Sequence, residues 1–153
     1  MVGARPAGDP EPLPYLSSAR DQAEGALKVE LEALVSSARM RAEGVPPTRL
    51  SLADFAQMYW TAAQMVAHHA SNGCLLRTGD LLGSGTVSGP DRSVAGCLLE
   101  ITNRGAEPAR LTDGETRSFL EDGDEVILRG RCRRDGFVPI GFGECRGVVR
   151  PAD

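Results

Sequence analysis

The sequence predicts an α+β chain in which β-structure dominates, on three observations. Residues 52–70 carry an apolar stripe at helical spacing, residues 27–35 alternate apolar and charged residues, and after Gly73 short apolar runs are separated by Gly, Asp and Pro clusters. Short strands with frequent turns point to a β-roll, barrel or sandwich, and the helix would lay its stripe against that sheet.

The first sixteen residues hold Pro6, Pro10, Pro12 and Pro14 with Gly3 and Gly8. Such a segment neither propagates a helix nor pairs as a central strand, and it reads as an extended lead-in. Leu27, Val29, Leu31, Ala33 and Val35 then alternate with Lys28, Glu30 and Glu32, which places one apolar face on a half-buried strand. Gly44, Pro46 and Pro47 make residues 42–49 a loop. The helix is expected to start at Ser51 as N-cap, with Asp54 as the capping-box acid and Leu50 and Phe55 as the staple. Phe55, Met58, Tyr59, Ala62, Met65 and Val66 form its stripe, and Ser71-Asn72-Gly73 ends it near Ala70. Candidate strands follow at 81–88, 96–102, 125–132 and 146–149.

Composition narrows the function. The chain has 153 residues, 41% hydrophobic and 25% charged, with a net charge of -4 and an isoelectric point near 5.2. That balance disfavours a nucleic acid or a polybasic membrane patch as partner. No apolar run approaches the roughly 18 residues of a membrane span, and Met1–Pro6 lacks the apolar core of a signal peptide, so the expected compartment is the cytoplasm. Cys74, Cys97, Cys132 and Cys145 lack zinc-site spacing and read as reduced, partly buried side chains. The two histidines, His68 and His69, are adjacent, which leaves no supply for a triad or a three-His metal site.

Individual motifs have plain readings beside chemical ones. Gly83-Ser84-Gly85-Thr86-Val87-Ser88-Gly89 lacks the Gly-Lys-Ser/Thr of a phosphate loop, so nucleotide binding is rejected. Gly83 and Gly85 share one strand face, where a second backbone or a ligand comes close, or where a bulge bends a small barrel. Glu100 lies within Cys97-Leu98-Leu99-Glu100-Ile101. On a buried face it would serve as a general base or orient a histidine; the plain alternative puts Leu98, Glu100 and Thr102 on the solvent side of an edge strand. His68 and His69 point about 100 degrees apart on a helix and suit its last turn as cations near free carbonyls. The acidic run 113–125 lacks calcium-loop order and reads as hairpin turns. Tyr59 and Trp60 read as core, and Arg129, Arg131, Arg133 and Arg134 as a solvated strand face.

Taken together, longer stretches resemble a known family. DFAQMYWTAAQMVAHHASNGC from Asp54 to Cys74 and LRTGDLLGSGTVSGP from Leu76 to Pro90 are similar to the C-terminal region of the fumarylacetoacetase family. LEDGDEVILRG from Leu120 to Gly130 and IGFGECRGVV from Ile140 to Val149 extend the likeness, which covers roughly Pro14 to Ala152. The resemblance implies a mixed β-roll, here incomplete, with 1–16 as lead-in and 17–153 as the C-terminal portion of a catalytic domain. It also implies a homodimer and hydrolysis of a carbon–carbon bond in 4-fumarylacetoacetate, giving fumarate and acetoacetate in tyrosine and phenylalanine breakdown. In that chemistry a His–Glu pair activates water, and a divalent metal, magnesium or calcium, with Lys, Arg and Gln side chains stabilises developing charge.

Carried over by motif, the Glu of the pair matches Glu100 and the substrate-contacting Thr matches Thr86. The catalytic His, the metal carboxylates and the Lys, Arg and Gln belong to family regions preceding Pro14, so no metal is expected on this chain alone. His68 and His69 match a family His pair on the helix. Leu75, Thr78 and Asn103 depart from the family's usual Asn, Pro and larger residue. Two expectations follow: a fumarylacetoacetase fragment inactive by itself, or a non-catalytic dimerisation or scaffold module that pairs with a separate N-terminal part.

Overall fold

A computed structural model describes residues 7–152. Residues 1–6, with Gly3 and Pro6 of the lead-in, lie outside the described residues. Its centre is a four-stranded antiparallel sheet in the order β2-β1-β5-β6, built from β1 (Glu30–Ser36), β2 (Thr48–Asp54), β5 (Glu125–Cys132) and β6 (Ile140–Val148). A two-stranded ladder joins β3 (Ala109–Arg110) to β4 (Thr116–Arg117). Helices are short: α1 (Ala19–Glu24), α2 (Ala38–Glu43), α3 (Ala62–Ala70) and α4 (Leu98–Ile101).

The alternation at 27–35 forms β1 as expected, and 125–132 forms β5. Between them, Glu30 faces Arg131 and Glu32 faces Arg129 in register. Arg129 also reaches Glu144 on β6 at 2.6 Å, and Arg146 reaches Glu144 at 2.8 Å and Glu125 at 3.1 Å. The arginine run is therefore a cross-strand ion ladder at Arg129 and Arg131. Opposite charges directly across a sheet favour this register over a slipped one.

Several elements differ from the sequence expectation. The helix does not start at Ser51. That serine is buried in β2, opposite Ala33. Thr-Arg-Leu-Ser-Leu-Ala-Asp satisfies a period of two as well as a helical stripe, and β1 offers its backbone a ladder along one edge. Asp54 caps only a 3₁₀ turn, Phe55–Gln57, by accepting the Ala56 N–H at 2.9 Å. The capping box lies at Thr61 and Gln64, each side chain accepting the other residue's backbone N–H. The helix ends near Ala70 as expected, with Gly73 at φ +87° beyond it.

Residues 42–49 are not wholly loop, because α2 runs to Glu43. It starts on Ser37, whose hydroxyl accepts the Met40 N–H, and stops at left-handed Gly44. Residues 81–88 pair with no strand, 96–102 contain α4, and 146–149 is the end of the longer β6, which begins at Ile140. With two candidate strands gone, the sheet does not close into a barrel, and each strand pairing among the described residues is antiparallel rather than mixed.

The core sits at one end of the sheet, where Val35, Met40 and Leu111 are buried together and Val45 and Leu50 pack on them. Beside it, Arg117 donates two hydrogen bonds to Asp124, at 2.9 and 3.1 Å. Asp124 also accepts the Glu121 N–H. The acidic run is thus a turn pinned by a buried ion pair, and the Asp124 hydrogen bond holds the Arg117 guanidinium above its ordinary value. At the N-terminal side, Leu16 is buried and Gln64 donates to its carbonyl at 2.9 Å. Tyr59 is exposed rather than core: its hydroxyl donates to Asp9 at 2.6 Å and its ring meets Trp60 edge-on.

Candidate functional site

Thr86 and Glu100 both lie where the stretch 83–101 passes over the sheet. Glu100 stands on α4, not on a strand. Cys97–Thr102 is too short an apolar run for periodicity to separate strand from helix. Thr102 decides the local form: fully buried, its hydroxyl donates to the Leu98 carbonyl at 2.6 Å and accepts the Gly105 N–H at 3.0 Å. The strand placement of Leu98, Glu100 and Thr102 on one face does not survive, since the segment is helical and Thr102 is buried while Glu100 is exposed.

Glu100 is nonetheless engaged. Ser88 Oγ donates to Glu100 Oε2 at 2.5 Å and accepts the Gly96 N–H at 3.0 Å. This one hydroxyl ties the turn carrying Thr86 to the carboxylate twelve residues later. The close backbone approach expected at Gly83 and Gly85 is found elsewhere, because an added Cβ at Gly83 or Gly85 meets nothing within 4 Å. At Gly96 it would lie 2.2 Å from the Val87 carbonyl oxygen and 2.7 Å from Thr86 Cγ2. Gly96 is the seat on which the Thr86 turn rests.

Below this turn are two open, mostly apolar hollows of about 440 and 520 Å³, which share Ala33, Ser51, Gly96 and Leu128 as walls. Gly85 and Val87 border the first, and Leu98 and Ile101 the second, so both residues flanking Thr86 and the helix bearing Glu100 overlook the sheet. The stretch is braced at its far end. Arg92 pairs with Glu107, and Asn103 donates to the same carboxylate at 3.1 Å. The Arg92 hydrogen bond, then that of Asn103, keeps the Glu107 carboxyl below its ordinary value. Asn103, one of the departures from the family pattern, adopts φ +48°, a left-handed conformation that asparagine tolerates better than larger residues.

The histidines lie apart from this arrangement. His68 Nδ1 is 2.9 Å from the Tyr15 hydroxyl, and His69 Nε2 is 3.3 Å from Cys74 Sγ. Among the described residues no three His, Cys, Asp or Glu side chains come together to hold a metal, and the lone carboxylate of Glu100 does not fit one. Sequence reasoning missed Ser88 and Gly96. The Thr-x-Ser-Gly turn was a signal for a structural hydroxyl, but its partner could be found only in the fold.

Comparison with known proteins bears on this same segment. The family described as fumarylacetoacetate (FAA) hydrolase C-terminal matches residues 20–150, including both Thr86 and Glu100. The chain belongs to the fumarylacetoacetate hydrolase family. It is 44% identical to the fumarylacetoacetase of Bos taurus over 150 residues, covering 97% of this chain and 34% of that protein. The fumarylacetoacetase of Dictyostelium discoideum is 40% identical over 97% of this chain and 33% of its own length. That of Caenorhabditis elegans is 57% identical over 100 residues, 65% of this chain and 23% of its own length. The chain thus spans about a third of the length of the curated relatives it matches end to end.

Proposed function

We propose that the chain is the C-terminal portion of a fumarylacetoacetase catalytic domain, acting in hydrolysis of the carbon–carbon bond of 4-fumarylacetoacetate to fumarate and acetoacetate. The observation that carries this reading is the family match across residues 20–150, which includes the Thr86 turn and Glu100. In this reading Glu100 orients a histidine that takes a proton from the attacking water, and Thr86 contacts substrate. Ser88 holds the Glu100 carboxylate at 2.5 Å. By the family resemblance the histidine belongs to a region preceding Pro14, while His68 and His69 match a separate His pair on the helix, where they meet Tyr15 and Cys74. Divalent metal, magnesium or calcium, belongs to the family chemistry, but the residues here do not fit it and no step is assigned to it. Cytoplasmic tyrosine breakdown and a homodimer complete the proposal. Among the described residues, no helix is long and apolar enough to cross a membrane.

A non-catalytic module is favoured by one feature. The outer strand β6 exposes Ile140 and Phe142, which are 62% and 68% accessible and suit pairing with another chain or segment.

The purified chain alone is expected to leave 4-fumarylacetoacetate intact, as followed by its absorbance; cleavage would overturn the assignment of the histidine to another segment. Adding the preceding two thirds of the Bos taurus relative is expected to restore turnover, and Glu100→Gln to abolish it. Unchanged turnover in Glu100→Gln refutes the role of that carboxylate, and an inert but cleanly dimeric mixture supports the non-catalytic module.

A further inference from the structure

The HHASNGC stretch at the end of α3 contains a thiol–imidazole pair that the proposed hydrolysis does not use. Helix α3 stops at Ala70, the Ser71 N–H bonds back to the His68 carbonyl, and Gly73 turns the chain at φ +87°. The Asn72 side chain then accepts the Cys74 N–H at 2.9 Å. The result brings Cys74 back over the helix, with Sγ 3.3 Å from His69 Nε2. Both residues are exposed, so a reagent reaches the sulfur.

His69 has a second neighbour. It lines a hollow of about 330 Å³ walled by Phe55, Met65, Val66 and Leu82, with Ser84 at its edge. That volume lies at the small end of ligand sites. Cys74 is not itself a wall of the hollow; His69 is, and its bond to the sulfur links the thiol to that space as a base beside a nucleophile.

We propose that Cys74 and His69 form a thiol-addition site for small α,β-unsaturated carbonyl compounds whose apolar part occupies this hollow. In the step, His69 Nε2 takes the proton from Cys74 Sγ. The sulfur forms a bond to the β-carbon as the C=C π pair moves toward the carbonyl, and the proton returns to the α-carbon. S–H is added across the double bond. Nothing is oxidised or reduced, and no group leaves.

The test is labelling of the 153-residue chain with N-ethylmaleimide, an activated alkene, with the rate at each cysteine read by peptide mass spectrometry. Cys145 on β6 is equally a free, exposed thiol and bonds to no histidine among the described residues, so it serves as the internal reference. Cys74 is expected to react at least about tenfold faster than Cys145, and His69→Asn to remove that advantage while leaving the Cys145 rate unchanged. Cys74 no faster than Cys145 in the unaltered chain, or a Cys74 rate untouched by His69→Asn, overturns the proposal. If His69→Asn unfolds the protein, Cys145 also accelerates, and the comparison within the unaltered chain decides by itself. For the hollow, labelling by N-cyclohexylmaleimide is expected to level off with concentration at Cys74 and stay linear at Cys145; linear dependence at both overturns its part in the site.

Discussion

Replacing Gly96 by alanine tests the packing on which the candidate site depends. The new Cβ would lie 2.2 Å from the Val87 carbonyl oxygen, 2.7 Å from Thr86 Cγ2 and 3.0 Å from the Val87 carbonyl carbon. Two of these atoms are backbone, so no rotamer change relieves the overlap, and the turn carrying Thr86 must lift by about 1 Å. Overpacking of this kind costs about 1–3 kcal/mol, offset by about 0.4–1 kcal/mol because alanine restricts the unfolded chain. The net loss is about 1–2 kcal/mol, or roughly 2–8 °C in Tm for a chain of this size. Gly83, in an ordinary backbone conformation with nothing within 4 Å of its added Cβ, is the control and should hold or gain stability on substitution. Gly89→Ala should fall between, because its Cβ meets side-chain rather than backbone atoms, Gln57 Oε1 and Val94 Cγ2, both at 2.4 Å. Urea unfolding at constant m measures the series, and hydrogen exchange at Val87 and Ser88 localises the change. A Gly96→Ala chain as stable and as protected as Gly83→Ala would refute the idea that the turn rests on Gly96.

Two further perturbations address the sheet and its pinned turn. Asp124→Ala leaves the buried Arg117 guanidinium without its bidentate partner and should cost about 3–5 kcal/mol in urea unfolding, a loss that Arg117→Leu in the same chain should partly recover; a cost below about 1 kcal/mol would count against the pair as a buried pin. Acid should weaken the cross-strand ladder and its neighbouring pairs. Hydrogen bonds from Arg131, Arg92 and Arg146 hold the carboxyls of Glu30, Glu107 and Glu144, respectively, below 4.5, so their contribution is complete above that value and lost as pH falls through the lower folded values. The urea midpoint should therefore decline from about pH 5 to about pH 3, less steeply in molar salt, because these pairs are exposed to screening; a midpoint flat across that window at low salt contradicts the ladder's role.

How far the fold could be read from residues depends on how local the deciding interaction is. β1 was legible because Leu31-Glu32-Ala33 alternates regardless of partners, β5 because the short apolar run Val126-Ile127-Leu128 follows the turn cluster Glu121-Asp122-Gly123-Asp124, and the end of α3 because Ser71-Asn72-Gly73 acts within one turn. The start of that helix was misread. Ser51 and Asp54 have the spacing of a capping box, but β1 supplies a ladder that residues 48–54 join, and Thr61 with Gln64 makes the box instead. Glu100 stood out as a carboxylate inside an apolar run and Thr86 through motif resemblance, and the hydroxyl that joins turn to carboxylate, Ser88, escaped notice because its two partners lie eight and twelve residues away.

The sequence by itself determined the family, the β-rich character and the two residues on which the functional proposal turns, because long motifs and period-two alternation are properties of neighbours along the chain. Tertiary structure decided whether 48–54 is strand or helix, that 96–102 is a helical turn, that Gly96 rather than Gly83 admits a second backbone, and that His69 faces Cys74. The first and third turn on which other segment pairs a backbone or fills a space, which no local stretch records; the other two rest on side-chain geometry within a few residues, Thr102 on Leu98 and Cys74 on His69, that only the folded chain displays.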